Sequence, residues 1–148
     1  MARQPTPAIT VHSLDHALAA LAAAAAAAQP IDLMSAPDAG IYAGPGWFKA
    51  LADMAREAVP DAQFTAILDC GDDTGAAQAA IRAGIEAIVF AGPPALAARL
   101  ADIAAAVGCR VLTERPPALL DLLPLFFADR ETLRRRCRDA LASLPAFC

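Results

Sequence analysis

Lysine is almost absent from this chain. Lys49 is the sole lysine among twelve basic residues, the other eleven being arginines. A Schiff-base lyase or a pyridoxal-phosphate enzyme needs a lysine poised in its site. Lys49 falls inside a helical pattern instead of at a strand end, so neither chemistry is expected. The arginine bias itself points to a GC-rich bacterial genome and says nothing of function. The four cysteines, Cys70, Cys109, Cys137 and Cys148, contain no C-x-x-C pair. That removes a zinc ribbon and a dithiol redox motif and reads as reduced thiols in a cytoplasmic protein. The sequence also lacks G-x-S-x-G, G-x-x-x-x-G-K-[ST] and G-x-G-x-x-G, which sets aside serine hydrolases and the common nucleotide-binding loops. No apolar run approaches the roughly 20 residues that span a bilayer. The alanine-rich stretch 17–28 is bordered by His12, Asp15 and His16 and is expected to be a helix of the fold, not a signal peptide. No membrane partner is expected.

Net charge is −4. A nucleic-acid footprint needs clustered Lys and Arg on one face. The cluster present, Arg134, Arg135, Arg136 and Arg138, lies on an amphipathic helical pattern and reads as a solvated face, so nucleic acid is not an expected partner. What the chain has in abundance is small apolar residues: 57% of its 148 residues are hydrophobic, with aromatics only 5%. That length suits one domain, 1–148, burying roughly two-thirds of its unfolded surface. Alanine forms helix readily and buries little area, so the run Ala22–Ala28 requires close approach to its neighbours.

Five short apolar runs stand out: AITV (8–11), IDLMS (31–35), FTAILD (64–69), EAIVFA (86–91) and CRVLT (109–113). They are nearly continuous rather than alternating, as strands buried on both faces are. Helical patterns lie between them, at about 14–29, 47–59, 74–83 and 94–107. Their punctuation is consistent: Ser13 as first cap, Pro30 and Pro60 as stops, Gly84 and Gly108 at helix ends, Pro94 at a helix start. Strands separated by helices imply parallel pairing through right-handed crossovers. The expected fold is therefore α/β with about five β-α units. A three-layer open sheet of flavodoxin-like order is favoured over a partial (β/α)8 barrel, because eight such units typically take around 250 residues. Segment 124–148 reads as a C-terminal helical extension, Arg130 to Ser143 capped by Asp129. Leu133, Cys137, Leu141 and Leu144 share its apolar side, docking on the domain or on a second subunit.

In parallel sheets, ligands bind beyond the carboxyl ends of the strands. Those ends carry His12, Asp69, Glu114 and Arg115, the candidate catalytic residues. Asp69 is the foremost, with Glu114 as partner, for a general-base role or a divalent metal. No metal ligand set is defined: His12 and His16 have compatible spacing but need a third ligand. Asp72 or Asp73 is expected to cap the third helix, and Cys70 to be a buried structural thiol. The loop 37–47 carries three glycines, the only Tyr and the only Trp, and reads as a lid, a subunit contact or a connector.

The segment C-G-D-D-T-G, a helix AAQAAIRAG, then EAIVFAG resembles the phosphate-binding quarter of (β/α)8 barrels over about residues 64–95. The resemblance implies Gly71 and Gly92 as backbone contacts to an anion. Asp72, Asp73, Pro93 and Pro94 depart from it, since they add negative charge and remove N–H donors. A fainter resemblance is to receiver domains of phosphorelays, with Asp69 ending the third strand and Arg115-Pro116 in place of Lys-Pro. The acidic pair that family has after its first strand is replaced by His12 and Ser13, so phosphate uptake by its mechanism is not expected.

Three functional readings follow. The first is a non-catalytic small-molecule-binding or regulatory domain acting as a homo-oligomer. The alternative is a small metal-assisted or acid–base enzyme, lyase- or aldolase-like without a Schiff base, acting on a phosphorylated or carboxylated metabolite. A third, an interaction protein, would use Trp47, Phe126, Phe127 and the last helix.

Overall fold

The computed structural model describes residues 4–145. Cys148 lies outside them. Six parallel strands form one sheet: β1 (Ala8–Thr10), β2 (Ile31–Met34), β3 (Phe64–Asp69), β4 (Ala87–Val89), β5 (Arg110–Leu112) and β6 (Ala118–Asp121). The helices are α1 (Leu14–Ala26), α2 (Ala39–Tyr42), α3 (Pro45–Ala58), α4 (Thr74–Ala83), α5 (Pro94–Ala105) and α6 (Arg130–Ala142). Local rules account for their ends. Ser13, Asp73 and Asp129 each accept a backbone N–H as N-cap, and Gly84 closes α4 in the left-handed region at φ 86°. The expected cap of the third helical pattern is thus Asp73.

Strand order is β5-β4-β3-β2-β1-β6. The α/β class, the parallel sheet, the β-α units and the C-terminal helix are as the sequence implied. Between the two architectures, the order departs from the favoured flavodoxin-like one and matches the partial barrel. The physical reason is handedness. Right-handed crossovers that always step the same way keep every helix on one face, whereas a flavodoxin-like order reverses once and covers both. Here the helices form a single layer in which α6 packs on α1, α1 on α3, α3 on α4 and α4 on α5.

The sheet is curled. Residues 113–117 join β5 to β6, which occupy opposite edges five strand spacings apart. A flat sheet would put those edges about 24 Å apart. Five linking residues span at most about 21 Å, and they must also return from a carboxyl end to an amino end. The edges are therefore drawn closer than in a flat sheet, and β6 stands beside β1 as a closing strand does in a barrel. Inward-facing Ala8, Met34, Ile67, Ala87 and Val89 pack together and are buried, with Leu112 beside them. Outward-facing Ile9, Leu33, Leu68, Ile88 and Phe90 meet the helices. Alanine dominates α1 because both α3 and α6 close on it: Ala17, Ala20 and Ala24 are buried, with Leu133, Cys137 and Leu141 of α6 in the same cluster.

Three elements had no counterpart in the sequence reading: β6, α2 and a 3-10 turn at Leu123–Leu125. β6 is four residues long and hemmed by Pro116, Pro117 and Pro124, which is the composition of a turn as much as of an edge strand.

Candidate functional site

The carboxyl ends of the strands converge on the mouth of the curled sheet. The inward alternation of β1 and β3 places Thr10 and Asp69 on its floor, both buried. Ser35 follows β2 and is buried too; its hydroxyl accepts the Asp69 N–H at 2.9 Å. Arg115, three residues beyond β5, folds back over all of them. Its guanidinium donates to Asp69 Oδ2 at 2.8 Å, to the Ser35 carbonyl at 2.8 Å and to Thr10 Oγ1 at 3.4 Å. β5 and β1 are four strand spacings apart in the ladder, too far for one side chain across a flat sheet. The curl makes the contact, and the contact ties four strand ends together. Asp69 has only 7% of its side chain exposed, and its other oxygen accepts the Gly71 N–H at 2.8 Å. Every oxygen of this carboxylate is engaged.

The candidates separate accordingly. Asp69 and Arg115 come together as an ion pair. Glu114, the residue before Arg115, is exposed. His12 pairs with a residue the sequence reading did not single out: its Nε2 lies 2.7 Å from Asp121 Oδ1, at the end of β6. Burial works to raise the Asp121 pKa, but the His12 hydrogen bond, the Leu123 N–H and the charges of His12 and Arg115 outweigh it and hold the carboxyl below its usual range. A signal for Asp121 existed. ALLD, like FTAILD, is an apolar run ending in Asp.

Behind His12 lies His16, fully buried in α1. Its Nδ1 accepts the His12 backbone N–H at 3.0 Å, which leaves the proton of the neutral ring on Nε2. Among the described residues that Nε2 has no partner in hydrogen-bond geometry, although the Leu125 carbonyl lies toward it. Burial, and then the charge of His12, lower the His16 pKa. The Phe126 ring packs edge-on against it, with centroids 5.7 Å apart.

The two glycines have structural work of their own. Gly71 holds φ 54°, and a Cβ there would collide with the Asp38 carboxylate; its N–H is already given to Asp69. Gly92 leaves room for the Phe90 ring, which occupies the place a Cβ would take. Asp38, Asp72 and Asp73 stand exposed nearby. The Cys70 thiol is buried; burial first, and the Asp69 charge next, push it up to about 12. Among the described residues, no three His, Cys, Asp or Glu side chains are grouped to hold a metal ion. Lys49 lies on α3, paired with Asp53 at 2.7 Å, away from the mouth.

The 37–47 loop is partly ordered by α2. A Cβ on Gly40 would stand 2.9 Å from Cys70 Sγ and 3.0 Å from the Asp69 carbonyl, so only glycine lets this turn sit against β3. Tyr42 and Phe127 remain 69% and 95% exposed at the same end of the molecule, after β2 and β6.

No family model and no curated protein matches the chain. Among solved structures it is similar to one provisionally assigned as a fructose-1,6-biphosphate aldolase from Coccidioides immitis, at 23% identity and a TM-score of 0.60. The likeness covers 72% of this chain and 39% of that one, so the chain spans about two-fifths of that protein's length. It shows the fold, a segment of parallel β-α units with barrel-like strand order, and no specific family.

Proposed function

We propose that this chain is a non-catalytic α/β domain that binds a small molecule or regulates a partner, and that it acts as an oligomer in a reducing compartment such as the cytoplasm. One observation carries the reading. The carboxylate at the position where a barrel enzyme would hold its reagent is buried and held at both oxygens, by Arg115 on one and the Gly71 N–H on the other. A general base must reach its proton within hydrogen-bond distance, and Asp69, 7% exposed at its side chain, already holds a donor on each oxygen and faces a guanidinium. Free Cys70, Cys109 and Cys137 support the reducing compartment.

A second reading has its own observation. The His12–Asp121 pair at 2.7 Å is the arrangement of an oriented imidazole, one nitrogen held by a carboxylate and the other available. It favours an acid–base enzyme of aldolase-like type without a Schiff base, in keeping with the solved structure the chain is similar to.

One experiment separates them. Thermal unfolding is measured against divalent metals, sugar phosphates, nucleotides and carboxylic acids, and every stabilising compound is then assayed for turnover. A ligand at about 100 times its dissociation constant stabilises by about 2.7 kcal/mol. Stabilisation without turnover is expected. Turnover that disappears in His12→Gln would replace the first reading with the second.

A further inference from the structure

Charge is distributed very unevenly over this molecule. Helix α6 carries Arg130, Arg134, Arg135, Arg136 and Arg138 against Glu131 and Asp139, a surplus of three positive charges, so the remainder of a chain of net charge −4 carries seven negative ones. The inner side of α6 is accounted for, since Leu133, Cys137 and Leu141 bury it against α1. Its outer side is not. Arg130, Arg134, Arg135 and Arg138 line a shallow depression of about 420 Å³ with Glu131. Arg130 meets Asp15 at 3.3 Å, while Arg134, Arg135 and Arg138 meet no carboxylate among the described residues.

The opposite character gathers at the mouth. Asp38 after β2, Asp72 and Asp73 after β3, Glu114 after β5 and Asp121 ending β6 all lie exposed at the carboxyl ends of the strands. The Arg115 charge there is already met by Asp69. Between these carboxylates stand exposed apolar side chains, Ile41 and Tyr42 after β2 and Leu123, Phe126 and Phe127 after β6. Carboxylates beside aromatic faces suit guanidinium groups, which pair with the one and stack on the other.

We infer that the arginine face of α6 docks on the acidic, aromatic rim of the mouth of a second copy of this chain. Charge complementarity argues for that occupant. The chain holds both halves of the match, and its own net negative charge disfavours an anionic polymer at long range. The two surfaces adjoin, because α6 begins at Arg130, directly after the Phe126–Phe127 turn. A two-fold pairing then lets each α6 lie across the other rim, using both contacts at once and closing as a dimer. The inference rests on the proposed oligomer and says which surface makes it.

The test uses two charge-reversed variants on exposed positions: R134E/R135E/R138E on the helix and D72K/E114K on the rim. Molar mass is measured by light scattering during size exclusion, for each alone and for their equimolar mixture, with circular dichroism as the control for folding. The wild type is expected to be a dimer that weakens at least about tenfold as salt rises from about 0.1 M to about 1 M, which shortens the screening length from about 10 Å to about 3 Å. Each variant alone is expected to be monomeric, and the mixture to recover a dimer because the reversed signs match again. A wild-type dimer that persists in R134E/R135E/R138E would overturn this surface while leaving the oligomer in place. A monomeric wild type at every concentration would overturn both. A monomeric wild type that binds a fluorescent anionic oligonucleotide or polyglutamate through those arginines would overturn the second copy as occupant.

Discussion

Removing either partner of the Asp69–Arg115 pair should reveal how the mouth is held. Asp69→Asn keeps the shape and the Gly71 hydrogen bond but removes the charge that Arg115 faces. Arg115→Met keeps the apolar stem and strands a carboxylate whose side chain is 7% exposed. Breaking a buried pair from one side costs about 3–5 kcal/mol. Arg115 keeps 26% of its side chain in solvent, so the Asn variant should fall below that range, at about 1.5–3 kcal/mol, since the stranded guanidinium can partly rehydrate. The Met variant should cost about 3–4 kcal/mol, because Asp69 cannot rehydrate in place and Thr10 and Ser35 lose a donor as well. For a chain of this size each kcal/mol lowers the midpoint by about 2–4 °C, so Arg115→Met should melt about 6–16 °C lower. The double variant should cost less than the sum of the two, with a coupling of about 1.5–3 kcal/mol from denaturant titrations. If both single variants stay within about 0.5 kcal/mol of wild type and their effects add, the pair is a solvent-screened surface contact. Asp69 would then be free for chemistry, its carboxylate not held by Arg115.

The remaining predictions concern helices and pH. Asp73→Ala should cost about 1 kcal/mol by removing the N-cap acceptor of the Ala76 N–H, while Asp72→Ala, which makes no such bond, should stay within about 0.5 kcal/mol; chemical denaturation of the two side by side checks which carboxylate is the cap. Ala20→Leu should destabilise by about 1–3 kcal/mol through overpacking, whereas Ala26→Leu on the exposed last turn of α1 should be tolerated, and equal effects would contradict the close packing around that helix. His16 is buried neutral with its pKa lowered, so the unfolded chain binds the extra proton first as pH falls below about 6.5. The stability from its neutral burial is present above that pH and is lost as pH drops toward the folded value. His16→Gln should therefore show a flatter decline in stability between about pH 7 and pH 5 than wild type, and parallel declines would refute the assignment.

Local chemistry alone determined a great deal here. Five apolar runs separated by capped helical patterns specify β-α units, because strand and helix periods and their end residues are properties of neighbouring positions. α4 runs from Thr74 to Ala83 and β3 from Phe64 to Asp69, as their flanking Asp, Gly and polar residues imply. The polar rim at strand ends, Asp69 and Arg115 included, was legible for the same reason. The sheet's order and curl were not, since inward and outward faces are both apolar here and no single strand records which neighbour it takes. Nor was the pairing of the site residues. That Arg115 lies on Asp69, that His12 finds Asp121 from 109 residues away, and that Gly71 gives its N–H to a carboxylate all depend on curling the strand ends around one mouth. A side chain's chemistry is written in the chain, but whether it is free to act depends on which other side chain the fold sets against it.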